Sequence, residues 1–337
     1  MNIIKNLPLA ITGLILAILS LGKIFTDFSS IFFIIGSVLI FLVLLKLVLH
    51  FDVFINELNT LITLSTFGTF SMTLMLFSTY LKPLFLPISQ SIAFGIWVLG
   101  IIIHLSIVVA FTKNYVMKNF DIENVFATWW IVYIGITMAA ITAPAFDLTQ
   151  YGFIFFGIGF ILMIPTLILV SYRYLMFTAI EDKNKPFICI YTALLSILIV
   201  GYVNALTING NFLSIIYILA CIFYIFAIYH AIRLLILEKL QFLPSFSAFT
   251  FPFVISAIAT GEDYKFFGIN ALNYLFYIQA VIALILVIYV SYKYLRFLLK
   301  WVKNYKHWTK YLKNLKNYLK NLKKYLKKVK FGKNVKN

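Results

Sequence analysis

Few side chains in this 337-residue sequence could carry chemistry, and their spacing suits few reactions. Cys189 and Cys221 lie inside apolar runs and lack metal-ligand spacing, so neither a disulfide framework nor a thiolate site follows. The eleven acidic residues are Asp27, Asp52, Glu57, Asp121, Glu123, Asp147, Glu181, Asp182, Glu238, Glu262 and Asp263, and all fall at the ends of apolar runs or between them. Proton- and cation-coupled pumps usually hold a carboxylate at membrane depth, so this distribution argues against that class. No His/Glu cluster exists to bind a metal or move a proton, which disfavours an intramembrane hydrolase or metalloenzyme. The chain is therefore read as a non-enzyme with no cofactor. His104, alone in an apolar run, reads as a neutral, hydrogen-bonded ring rather than a proton relay.

These side chains are set in a composition that water cannot solvate. The sequence is 63% hydrophobic and only 12% charged, with a mean hydropathy of +0.99. Soluble domains carry about 25% charged residues. Crossing a hydrocarbon core of about 30 Å takes about 20 apolar residues. Ten such runs are present, at 7–25, 31–49, 61–81, 88–111, 126–143, 151–172, 186–203, 212–235, 244–261 and 272–295. The loops are short, which predicts one membrane domain over 1–295 and a tail over 296–337. The first run lacks a small-x-small cleavage site before Lys23 and is read as retained, not as a signal peptide. Lysine and arginine in short loops gather on the cytoplasmic side. With both termini on one side, that side holds 25 of the 28 basic residues, and only Lys23, Lys82 and Lys265 fall opposite. The expectation is a multi-pass protein of the plasma membrane with both termini cytoplasmic.

The runs differ by parity. The five odd runs hold 36 Gly, Ala, Ser and Thr residues, and the five longer even runs hold 21. Small residues permit close packing, so the odd helices are expected inside and the Phe/Ile/Leu-rich even helices against lipid. Whether the odd helices surround a polar path or are simply buried, composition leaves open. Odd runs recur about every sixty residues, and Pro8, Pro186 and Pro244 stand at the starts of three of them. Five similar hairpins predict an all-α membrane protein whose ten transmembrane helices form a quasi-five-fold ring around a central pore. Gly13, Gly68, Gly135, Gly201 and Pro252 interrupt the odd runs. Such breakers are tolerated where a helix lines a cavity, although a glycine also serves plain close packing.

Four segments carry a family resemblance: PLAITGLILAILSLG from Pro8 to Gly22, TFGTFSMTLML from Thr66 to Leu76, WWIVYIG from Trp129 with APAF from Ala143, and PSFSAFTFPF from Pro244 to Phe253. Together they resemble the tellurite-resistance/dicarboxylate transporter family, which includes slow-type plant anion channels, malic acid transporters and sulfite efflux pumps. The resemblance covers residues 7–295, with Gly68 and Ala127 where prolines are usual. It implies ten helices in five hairpins, a pore formed by the odd helices, and a phenylalanine plug that falls by motif position on Phe251. One ring rotamer would close a narrow hole and another would clear it. It also implies a small anionic substrate (a C4-dicarboxylate such as malate, sulfite, or an inorganic anion), and relatives include homotrimers. Hydroxyls would partly rehydrate such an anion while letting it leave, and Thr12, Thr69, Thr137, Ser196 and Thr250 are the candidates. The competing fate of each is a bond back to its own helix carbonyl. The alternative reading is a ten-helix drug/metabolite-type exporter built as two inverted five-helix halves.

In the tail, Trp301, Tyr305, Trp308, Leu312, Leu315, Leu319, Leu322, Leu326 and Val329 recur at alternating steps of four and three. From Arg296 onward no acidic residue offsets the lysines, so a homotypic coiled coil would repel itself. A basic amphipathic helix on anionic membrane lipids fits better than a coil with an acidic partner, and nucleic acid is not expected.

Overall fold

In the computed structural model, residues 2–83 and 88–333 are described, with side chains for 3–83 and 89–301. The described residues are helical throughout, without a strand. A short turn α1 (Asn2–Lys5) leads into α2 (Ile11–Ile24) and α3 (Ser29–Leu49). A surface helix α4 (Phe51–Leu58) precedes α5 (Leu61–Leu81) and α6 (Ile88–Phe111), and α6 continues through wider turns over Thr112–Lys118. Then come α7 (Thr128–Tyr133), α8 (Thr137–Thr142), α9 (Thr149–Met176), α10 (Tyr191–Ala205), α11 (Gly210–Ile232), α12 (Phe251–Phe267) and α13 (Asn270–Lys333).

Among the described residues, eight helical segments are long and apolar enough to cross a membrane. The first and fifth apolar runs are instead covered by shorter apolar helices, Ile11–Ile24 and Thr137–Phe146. Hydropathy averages over a window and does not register the turn at residues 134–136 that divides α7 from α8. Gly135 permits that turn because a Cβ there would press into the Ile131 carbonyl, His104 Cε1 and Met72 Sδ.

Two layers result. The segments of α5, α10 and α12 are 78%, 89% and 83% buried, whereas those of α3, α6, α9, α11 and α13 are between 22% and 33% buried. In the outer layer Ile34, Phe41, Val48, Ile161, Ile168, Ile225 and Ile288 face outward, as lipid contact requires. Each inner segment pairs with the outer helix that follows it in the chain: α2 with α3, α5 with α6, α8 with α9, α10 with α11, and α12 with α13. Inner segments also pack on one another in sequence, α2 on α5, α5 on α7 and α8, α8 on α10, and α10 on α12, and α12 packs back on α2. Left-handed Gly268 (φ +67°) ends α12 and turns the chain into α13.

Lys46, counted from sequence as a loop-side positive charge, is fully buried in α3. Its Nζ donates to the Leu7 carbonyl at 2.7 Å and to Glu57 Oε1 at 2.5 Å, tying α4 and the amino-terminal segment to α3.

α13 runs unbroken through the start of the tail to Lys333. Beyond Trp301, the apolar line read from sequence through Val329 lies outside the described side chains.

Candidate functional site

Inner segments begin with tight turns where proline is placed early. Lys185–Ile190 and Pro244–Phe249 are 3-10 turns ahead of α10 and α12. Thr250 forms the joint into α12, with φ −109° and ψ −86°. Its hydroxyl donates to the Ser247 carbonyl at 2.6 Å. Pro252 lacks the N–H that would bond the carbonyl four residues earlier, at Ala248. The joint therefore falls one residue before Phe251.

Three cavities follow one another along the inner layer, and the lining residue numbers climb in step on its segments. At the end carrying the termini, a mouth of about 500 Å³ is lined by Lys5, Glu57, Thr63, Lys183, Ser245 and Trp301, among others. A central chamber of about 50 Å³ follows, lined by Gly13, Thr69, Gly135, Ile197, Phe251 and Pro252, with Thr66, Met72, Trp130, Phe187 and Ser247 among its other walls. The opposite end opens a vestibule of about 230 Å³ at Ser20, Lys23, Thr79, Thr142, Asn204 and Glu262. Ala10, Thr66 and Phe187 line both mouth and chamber. Chamber and vestibule share no lining residue, so packed side chains separate them.

The chamber walls carry no ionisable group among the described residues. About 50 Å³ holds only a few water-sized spheres, and a bare ion in such apolar surroundings is strongly disfavoured. As it stands, this chamber is closed to ions. Phe251 is 6% exposed, and its ring stacks on no other aromatic ring among the described residues.

Of the residues singled out from sequence, Gly13, Thr69, Gly135, Phe251 and Pro252 come together at the chamber; Thr12, Gly68, Thr137, Ser196, Gly201 and Thr250 do not line it. Gly68 serves close packing, since a Cβ there would stand 3.0 Å from Ile131 Cγ2. Gly201 likewise makes room for the Thr137 methyl. Most of the hydroxyls bond back to their own segments: Thr12 to the Leu9 carbonyl (2.9 Å), Thr69 to Thr66 (2.8 Å), and Ser196 to Thr192 (2.7 Å). Thr12 and Thr69 also join each other across α2 and α5 at 2.7 Å. Thr137 is fully buried and its Oγ1 has no partner among the described residues. Phe187, which sequence reasoning did not single out, stands between mouth and chamber; its position directly after Pro186 was the available signal.

His104 acts as a strut. Its Nε2 donates to the Val132 carbonyl at 3.0 Å, and Nδ1 shares a hydrogen bond with Ser71 Oγ at 2.7 Å. The ring thus ties α6 to α5 and α7 beside the turn at Gly135.

At the vestibule end, Lys82 pairs with Asp147 and Lys265 with Glu262. Lys23 lines the vestibule with no carboxylate partner among the described residues; its Nζ lies 4.1 Å from the centre of the Tyr80 ring. No three His, Cys, Asp or Glu side chains among the described residues come together as a metal site.

Comparison with protein families matches residues 6–295 to a family model described as voltage-dependent anion channel. No curated protein matches the chain.

Proposed function

Because the chain belongs to the voltage-dependent anion channel family, we propose that it carries small anions along the axis of the inner helices, with the Phe251 ring as the gate. It is an integral membrane protein of anion transport. The observation that carries the axial route is the stepwise climb of mouth, chamber and vestibule along the inner layer. In this reading the broken α7–α8 segment and the short α2 complete ten crossings, and five hairpins form a quasi-five-fold ring. The return contact of α12 on α2 favours a closed ring over an exporter of two inverted halves. The basic end, with Lys5, Lys183, Arg296 and Lys300, is assigned to the cytoplasm of a plasma-membrane protein by the distribution of positive charge. There the basic residues from Lys293 onward would meet anionic headgroups. Homotrimer formation would bury part of the outer layer and leave one path in each chain.

Flux measured in vesicles containing the purified chain, across nitrate, chloride, sulfite and malate, tests the assignment. Failure to pass any of them, with the chain folded and inserted, overturns it. Lys23 offers a sharper check. Its unpaired charge at the vestibule attracts anions, so Lys23→Gln is expected to lower entry from that end a few-fold at low salt, with the difference shrinking as salt rises. Flux compared at two ionic strengths reads this directly.

A further inference from the structure

Beside the inner layer, where α10, α11, α12 and α13 meet, lies a strip of polar groups that the axial route does not use. Thr260 Oγ1 donates to Gln279 Oε1 at 2.7 Å and accepts from the Tyr217 hydroxyl at 3.2 Å. One turn earlier in α12, Ser256 Oγ lies 2.7 Å from Thr192 Oγ1 and 3.0 Å from Ser196 Oγ. Asp263 follows Thr260 by three residues. It is 0% exposed, and neither carboxylate oxygen has a hydrogen-bond partner among the described residues. The sequence places this residue at the end of a run, where water would be expected; the fold instead packs it away from both water and donors.

An ionised carboxylate cannot stay in such a place without compensation. A buried charge with no partner is far more costly than the neutral acid. The groups facing it supply no counter-charge. From α11 come Tyr217 and Cys221. From α13 the Gln279 amide stands one turn away at Thr260, while Tyr274 and Tyr277 are exposed; the α10 hydroxyls of Thr192 and Ser196 lie two turns back, at Ser256. On α12 itself, Glu262 adds a like charge and is paired with exposed Lys265. Lys23 of α2 lines the same vestibule as Glu262. The cavity within the strip is about 10 Å³, too small for a hydrated metal cation.

We propose that Asp263 is a proton-binding site, loaded and unloaded through the vestibule that its neighbour Glu262 lines. A proton from water at that end adds to one carboxylate oxygen, the charge falls from −1 to 0, and the reverse step returns the proton to the same side. Ionisation places a negative charge among α11, α12 and α13, so raising the pH loosens their packing. The proposal goes beyond anion passage and stands independently of it.

Infrared difference spectroscopy of the purified full-length chain tests the site without any flux measurement. The wild-type chain is expected to show a protonated carboxylic-acid carbonyl band at neutral pH that disappears on alkaline titration and is missing in Asp263→Asn. The other five aspartates, Asp27, Asp52, Asp121, Asp147 and Asp182, are exposed, so carbon-13 aspartate labelling of the wild type assigns the band even if the variant fails to fold. The thermal midpoint of the wild type should fall as the pH rises from the ordinary carboxylate range and level off where the band is lost, and this fall should be absent from Asp263→Asn. Absence of an aspartic-acid band at every pH overturns the proposal. So does a band lost on adding sodium or potassium at fixed pH, which would make the site one for metal cations.

Discussion

Phe251→Ala is expected to raise anion flux in vesicles about tenfold or more, equivalent to lowering the barrier by at least about 1.4 kcal/mol. The ring is a wall of a chamber of about 50 Å³ with no charge to hold an ion. Removing it enlarges the chamber and lets water follow the ion inward. Phe251→Leu keeps most of the bulk and should give a smaller increase. Truncating a buried phenylalanine costs about 3–5 kcal/mol of stability, so flux must be expressed per folded, inserted chain. Unchanged flux in a well-folded Phe251→Ala protein would remove Phe251 from the gate and leave Phe187, between mouth and chamber, and Trp130 as the aromatic walls to test next.

The second large effect concerns the buried pair at the mouth. Lys46 is fully buried and Glu57 is 33% exposed. Glu57→Gln leaves an ammonium inside the protein with neutral acceptors but no counter-charge, and about 3 kcal/mol of stability should be lost. Lys46→Met should cost less, because the carboxylate left behind can reach water. Thermal unfolding in detergent orders the two variants. Equal losses would show that the pair acts through something other than the trapped charge.

The layering was legible from residue types alone. Gly, Ala, Ser and Thr collect in the runs that become α2, α5, α7, α8, α10 and α12, and bulky aliphatics fill the runs that face lipid. Pro186 and Pro244 marked the tight turns that start inner segments, and Pro252 marked the joint at Thr250. What the sequence could not reveal depends on contacts between distant segments. The turn at residues 134–136 exists because Gly135 faces His104 and Met72, which lie some thirty and sixty residues earlier. Lys46 has the composition of a boundary residue and is buried only because α4 folds back to present Glu57. Asp263 reads as the end of a run, yet α12 continues to Phe267 and α11 and α13 close around it. Hydroxyl spacing likewise could not separate Thr69, at the chamber, from Thr12 and Thr250 just behind it.

The continuity of α13 has a mechanical consequence. Phe297 and Trp301 line the mouth, and the same helix runs on for 32 further residues to Lys333, about 48 Å at 1.5 Å per residue. With no break between them, the basic extension cannot swivel independently of the crossing it continues. A tilt of about 20°, ordinary for a membrane helix, would sweep the far end sideways by about 16 Å while shifting Trp301 only slightly. The tail is thus a long handle on the wall of the mouth, and whatever grips its lysines pulls with leverage on the entrance.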